Sequence, residues 1–108
     1  MLRIFGNTST EPVLLYIQNY GEGHARGIAA TMDLSLSAVQ RQLIRLEESG
    51  VLVSQLKAGS RLFTWNPRYP LSAELSALLE KALALMPKEE RKRYFLQRTR
   101  PRRTGKAL

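Results

Sequence analysis

The chain is 108 residues long, 44% apolar, and carries a formal net charge of +8, a size that fits one domain with a modest core. No run approaches the roughly 20 continuous apolar residues of a membrane span. There is no cysteine, which excludes disulfide staples and thiolate-based metal or redox sites and makes a reducing cytoplasm the expected compartment.

The opening MLRIFGNTSTEP has no long apolar region after a basic start, so a cleaved signal peptide is not expected. Leu2, Ile4 and Phe5 are apolar, then GNTST breaks the pattern. Thr10 can cap a helix, Glu11 suits its positive first turn and Pro12 is tolerated there. That helix is expected to run to about Tyr20 and to bury Val13, Leu14 and Ile17. GEGH reads as a loop. A second helix covers about Ala25 to Met32, Asp33 and Leu34 turn the chain, and Ser35 is placed to cap a third helix by accepting a bond from a backbone N–H of its first turn. Gly50 is placed to end that helix, because it can adopt the left-handed conformation after the last turn. In VLVSQLKAGSRLFTWN two β-favouring runs flank KAGS, a hairpin signal, and Asn66-Pro67 and Tyr69-Pro70 punctuate the chain. Leu71, Leu75, Leu78, Leu79, Ala82, Leu83 and Met86 then recur at helical spacing. Pro87 sits where a last helix begins, and Glu89 and Glu90 suit the positive end of its dipole, so KEERKRYFLQR reads as a separate or kinked final helix. The order is helix, helix, helix, hairpin, helix, helix.

Along the third helix each residue advances about 100°. Val39, Leu43 and Leu46 fall on one side; Ser37 and Arg41 point nearly opposite, with Gln40 and Arg45 on the flanks. On the second helix Ile28, Ala29 and Met32 face the same interior, small Ala29 lets the two helices cross closely, and Leu34 plugs the corner. A helix braced from behind with a polar face in front is the arrangement of a helix-turn-helix, whose second helix enters the major groove of DNA. The chemistry of the face suits that role. Arg donates two bonds to guanine O6 and N7, Gln pairs with adenine N6 and N7, and Ser contacts base edges or phosphates. Ser35 and the free amides at the start of the third helix can meet a phosphate, while Glu47 and Glu48 lie at its far end. The plainer reading is an amphipathic surface helix with Gln and Arg in water. Small Ala29, Leu34 in the turn, the Ser cap and the hairpin directly afterwards tip the balance toward DNA.

On those residues the sequence resembles the winged helix-turn-helix family, particularly bacterial regulators of the ArsR and MarR type. LSLSAVQRQLIRLEESGVLV is similar to their recognition helix and its exit into the first wing strand, and GSRLFTWNP to the second wing strand and its exit. The likeness spans about residues 10 to 67, with a looser echo in FGNTSTEPVLLYI. It implies a mainly α fold with a small β hairpin: a three-helix core, a two-stranded wing and C-terminal helices. It also implies a homodimeric transcriptional regulator, in the simplest case a repressor, on a near-palindromic operator in double-stranded DNA. Position by position, Ser37, Gln40 and Arg41 match the base-facing sites, and Lys57 and Arg61 match the basic wing. The chain departs from the pattern at Asp33, where glycine is frequent, and at Leu36 and Ile44, where polar side chains are common. The last two can contact thymine methyls or pack against another surface. The expected DNA-binding set is Ser35, Ser37, Gln40, Arg41, Arg45, Lys57 and Arg61.

Metal sensors of the ArsR type use clusters of Cys, His and carboxylate. His24 is the only imidazole here, in a Gly-rich stretch, so neither a metal nor a cofactor is expected and His24 reads as a surface or packing residue. No enzymatic activity is expected: GEGH is too short for a phosphate loop and has no following Lys, and no nucleophile is paired with His24 by pattern. The Leu stripe of residues 71–86 either closes the chain's own core or pairs with a second copy. Its width favours a dimer through Leu75, Leu78, Leu79 and Leu83, with the first helix, Tyr94 and Phe95 contributing. Phe63 and Trp65 share one strand face and are expected to pack on the body. The charge is concentrated at the end, where residues 88–108 hold nine Lys and Arg against Glu89 and Glu90, while residues 1–87 are nearly neutral. The tail from Arg98 is expected to be disordered when free and reads as an electrostatic arm on phosphates, an RNA-binding segment or a solvated tail without a specific partner. The expected organisation is DNA binding in 1–67, dimerisation in 68–97 and a basic tail in 98–108. A winged-helix protein–protein interaction module with weak or no DNA binding is the competing reading, supported by the near-neutral body; no effector can be named.

Overall fold

The structure, a computed structural model, describes residues 5–95; Leu2, Ile4 and the expected basic tail, 98–108, lie outside the described residues. The elements are α1 (Thr10–Tyr20), β1 (Glu22–His24), α2 (Ala25–Met32), α3 (Leu36–Glu48), β2 (Leu52–Lys57), β3 (Ser60–Trp65), α4 (Ser72–Leu85) and α5 (Lys88–Phe95). α1 is the centre of the fold. Its run of apolar residues leaves Val13, Leu14, Leu15 and Ile17 out of water, so this helix is surrounded rather than one-sided. Ile28, Ala29 and Met32 of α2 and Val39 and Leu43 of α3 join that core, as do Leu79, Ala82 and Leu83 of α4, with Met86 just past its end. Phe95 of α5 is buried in the same cluster, its ring 6.1 Å from that of Tyr20.

Two helix starts show how the sequence punctuates. α1 is capped from Asn7 rather than by Thr10. Asn7 Oδ1 accepts from the amides of Ser9 and Thr10 at 2.9 and 2.8 Å, satisfying donors that the first helical turn leaves open. The Thr10 hydroxyl is thereby placed to reach Gln42 Oε1 on α3 at 3.0 Å. α5 begins beside Pro87 as expected. The Met86 backbone is extended (φ −65°, ψ 135°), the Arg91 amide donates to the Pro87 carbonyl at 2.9 Å, and α4 and α5 are separate helices.

Of GEGH, expected as a loop, Glu22–His24 form a strand. β1 pairs antiparallel with β3 through Glu22↔Thr64, Gly23↔Phe63 and His24↔Leu62, and β3 pairs with β2, giving the order β1-β3-β2. The expected two-stranded hairpin thus gains a third strand at its base. A three-residue strand, Glu-Gly-His, is too short to show alternation, and its partner lies far along the chain, so nothing local announces it. A Cβ at Gly23 would sit 2.8 Å from Tyr16 Cε1 and 3.0 Å from Ile28 Cδ1; the strand reaches the core because that residue is glycine. Burial pushes the Tyr16 hydroxyl above its ordinary pKa, the Glu22 carboxylate adds to the rise, and a hydrogen bond to the Thr31 side chain opposes it. The hairpin closes at Ala58-Gly59, with φ of 51° and 81°, the paired positive values of a type I′ turn. At its inner end Leu52 and Phe63 are buried and Trp65 is partly buried against the core, so the aromatic pair packs on the body as its spacing indicated.

Candidate nucleic-acid interface

α2, its turn and α3 form the unit that presents the expected reading face. Asp33 ends α2 in the left-handed conformation (φ 58°, ψ 50°), which a short polar side chain tolerates better than most. The Leu34 amide returns to the Ala29 carbonyl at 3.0 Å. Asp33 Oδ2 also lies 3.5 Å from Arg93 on α5, an exposed pair that contributes little to stability. Ser35 caps α3, its hydroxyl accepting from the Ala38 amide at 3.2 Å. Gly50, at φ 85°, lets the chain turn back, so that the Gly50 amide reaches the Glu47 carbonyl at 3.0 Å and the Val51 amide the Leu46 carbonyl at 2.9 Å. This is a Schellman ending, and Asn66 clasps it by donating to the Gly50 carbonyl at 2.8 Å. Both ends of α3 are therefore fixed.

Between them the helix divides as its periodicity indicated. Val39 and Leu43 are buried and Leu46 is half-buried, while Ser35, Ser37, Gln40, Arg41 and Arg45 are exposed. Leu36 is half-buried against the core, whereas Ile44 is 54% exposed in the middle of the outward face. Gln42, which pattern alone left unassigned, is buried and bonded to Thr10. Lys57 stands exposed next to the hairpin turn. Arg61 is also exposed, but its guanidinium donates to Ser54 Oγ at 3.1 Å and Ser54 donates to Glu47 Oε2 at 2.7 Å. This relay links the hairpin to the end of α3 and engages Glu47. Arg26, in the first turn of α2, was not singled out by the sequence. It is exposed and lines a cleft of about 550 Å³ with Leu36, Gln40, Ile44 and Arg61; its signal was a lone cation whose neighbours only the fold supplies. His24 is half-buried, its Nδ1 donating to the Arg61 carbonyl at 3.2 Å. Among the described residues no group of three or more His, Cys, Asp or Glu is placed to hold a metal ion, and no helix is long and apolar enough to cross a membrane.

The α4 stripe is divided. Of the four leucines expected at a dimer interface, Leu79 and Leu83 are packed in the chain's own core, Leu75 is half-buried, and Leu78 is 42% exposed. Phe95, expected to extend that interface, is buried as well. The apolar face left open is Leu71, Leu78 and Leu85, all exposed and seven residues apart, which sets them in one row along the helix.

No family model and no curated relative matches the chain. Among solved structures, a double mutant of Lactococcus lactis ZitR in its apo form matches with a TM-score of 0.55 at 22% sequence identity, covering 79% of this chain and 73% of that one. The fold is a winged helix-turn-helix. At this identity the likeness is one of fold. In this chain α2 and α3 are the two helices joined by the short turn and β2–β3 are the hairpin that follows them, with β1 completing the sheet.

Proposed function

We propose that the protein is a DNA-binding transcriptional regulator that acts on double-stranded DNA as a homodimer. One observation carries the reading: α3 is anchored through Val39 and Leu43 while Ser37, Gln40 and Arg41 stand open on its other side, beside a projecting wing. In this mode α3 enters the major groove, as the second helix of such a pair does. Arg41 is suited to guanine and Gln40 to adenine. Ser35 and the first amides of α3 meet a phosphate, and Lys57 touches the flanking backbone. Arg45 and Arg26 add charge on either side, and Arg61 acts both as a cation and as the fastening of the wing. The winged-helix fold shared with ZitR supports this docking mode.

Residues 1–67 then carry the reading surface, and residues 68–97 pair the two copies through the row Leu71, Leu78 and Leu85, with Leu75 at its edge. Occupying a promoter makes the protein a repressor in the manner of ArsR and MarR regulators in the cytoplasm, and the basic tail adds phosphate contacts without sequence preference. The competing reading, a protein–protein interaction module, draws on the exposure of Ile44 and Leu56. Selection of bound sequences from random duplex DNA separates the two. A two-fold motif with half-sites about one helical turn apart supports a DNA-reading dimer; folded protein that enriches no sequence refutes it.

A further inference from the structure

We propose that Ile44 is a specificity-determining residue that reads the C5-methyl group of thymine. This rests on α3 being the helix that enters the groove. Ile44 lies in angle between Gln40 and Arg41, about one turn further along α3, and more than half of it is in solvent. The fold does not account for it, since it belongs neither to the core cluster nor to the hydrophobics packed against that cluster. It overhangs the cleft between α3 and the wing, where Leu43 and Phe63 lie beneath and Leu36 beside it.

The surroundings name the occupant. Arg26 and Arg61 line the cleft with Ile44, and Arg41 precedes it by about one turn on the same side of α3; all three are exposed. On the remaining side stand Glu47, already bonded to Ser54, and Glu48. An apolar centre flanked on three sides by guanidinium groups fits a polyanion that offers an apolar group. In the major groove the C5-methyl of thymine is the methyl that the natural base pairs present, and it sits between phosphate backbones. One helical turn along α3 is about 5.4 Å, and base pairs are about 3.4 Å apart along a strand, so the thymine lies about one or two base pairs from those met by Gln40 and Arg41.

The test replaces each thymine of a selected half-site with uracil in turn, which deletes one methyl and leaves the hydrogen-bonding edges unchanged. For the parent protein one thymine per half-site is expected to show a loss of about fourfold in affinity, the worth of one buried methyl. Ile44→Ala, at an exposed helical position, is expected to bind the thymine and uracil duplexes alike. Uracil tolerated everywhere by the parent, or the same penalty kept in Ile44→Ala, overturns the assignment and leaves DNA binding standing. Ile44→Asp that binds duplex like the parent also overturns it, returning Ile44 to a protein-binding surface. Failure of the parent to bind any duplex sinks the DNA reading itself.

Discussion

Alanine at Gly23 sets two effects of opposite sign against each other. The backbone at this position is outside the left-handed region, so the substitution narrows the unfolded ensemble and favours the native state by about 0.4–1 kcal/mol. Against this, the new Cβ meets Tyr16 Cε1 at 2.8 Å and Ile28 Cδ1 and Cγ1 at 3.0 and 3.1 Å. Ile28 is fully buried, and the Tyr16 ring is held against Tyr20 with centroids 4.5 Å apart, so neither retreats as a surface side chain would. Overpacking of this kind costs about 1–3 kcal/mol. The steric effect wins, and Gly23→Ala is expected to destabilise by about 1–2 kcal/mol, each kcal/mol lowering Tm by roughly 4–8 °C in a domain near this size. Urea unfolding followed by circular dichroism reads the change as a lower midpoint at constant slope. In a Tyr16→Ala background, where the nearest atom is gone, the same substitution should cost less, and the double-mutant cycle reports the difference. An unchanged or raised midpoint for Gly23→Ala, or an undiminished penalty in the Tyr16→Ala background, would refute the close approach as the reason for this glycine.

Four further outcomes are expected. Ser35→Ala removes the cap of α3 and lowers stability by about 1 kcal/mol in the same unfolding assay. Ala58→Asn places a residue that tolerates positive φ at the first turn position of the wing, and thermal unfolding should shift upward by a few degrees. On duplex DNA, Arg41→Ala should cost about 1–3 kcal/mol and relax preference at one base position, while Lys57→Ala should weaken binding across all sequences and reduce the salt slope by about 1; titrations at several salt concentrations distinguish them. The Tyr16 hydroxyl titrates higher in the folded than in the unfolded state, so its contribution is full below the unfolded pKa of about 10 and is lost as pH rises through the folded value. Tyr16→Phe should therefore flatten the alkaline decline of stability relative to the parent.

The helices of the candidate interface were legible because their signals are local. Ser35, Gly50 and Pro87 punctuate as caps and breakers do, and Val39 and Leu43 repeat at the helical period, so the open side of α3 follows from spacing alone. What escaped was set by distant partners. β1 exists because β3 arrives beside it, and three residues centred on a glycine carry no period to detect. Asn7 displaced Thr10 as the cap through a side chain two and three residues before the amides it serves, and the Thr10 hydroxyl lies within reach of both Asn7 and Gln42. On α4, periodicity showed that Leu75, Leu78, Leu79 and Leu83 form one broad face but could not say what covers which part of it. α1 takes Leu79 and Leu83 and leaves Leu78 in the open. Arg61 matched the basic wing, yet its link through Ser54 to Glu47 depends on hairpin register against a helix end.

The common interior of all five helices has a consequence for dissection of the gene. A chain stopped after residue 67 keeps every side chain of the reading face yet deletes Leu79, Ala82, Leu83, Met86 and Phe95 from the cluster around α1. Val13, Leu14 and their neighbours would then be left partly bare to solvent. A fragment trimmed to the candidate interface would inherit its side chains without the scaffold that keeps them in place, so the face has to be interrogated by point substitutions in the whole polypeptide.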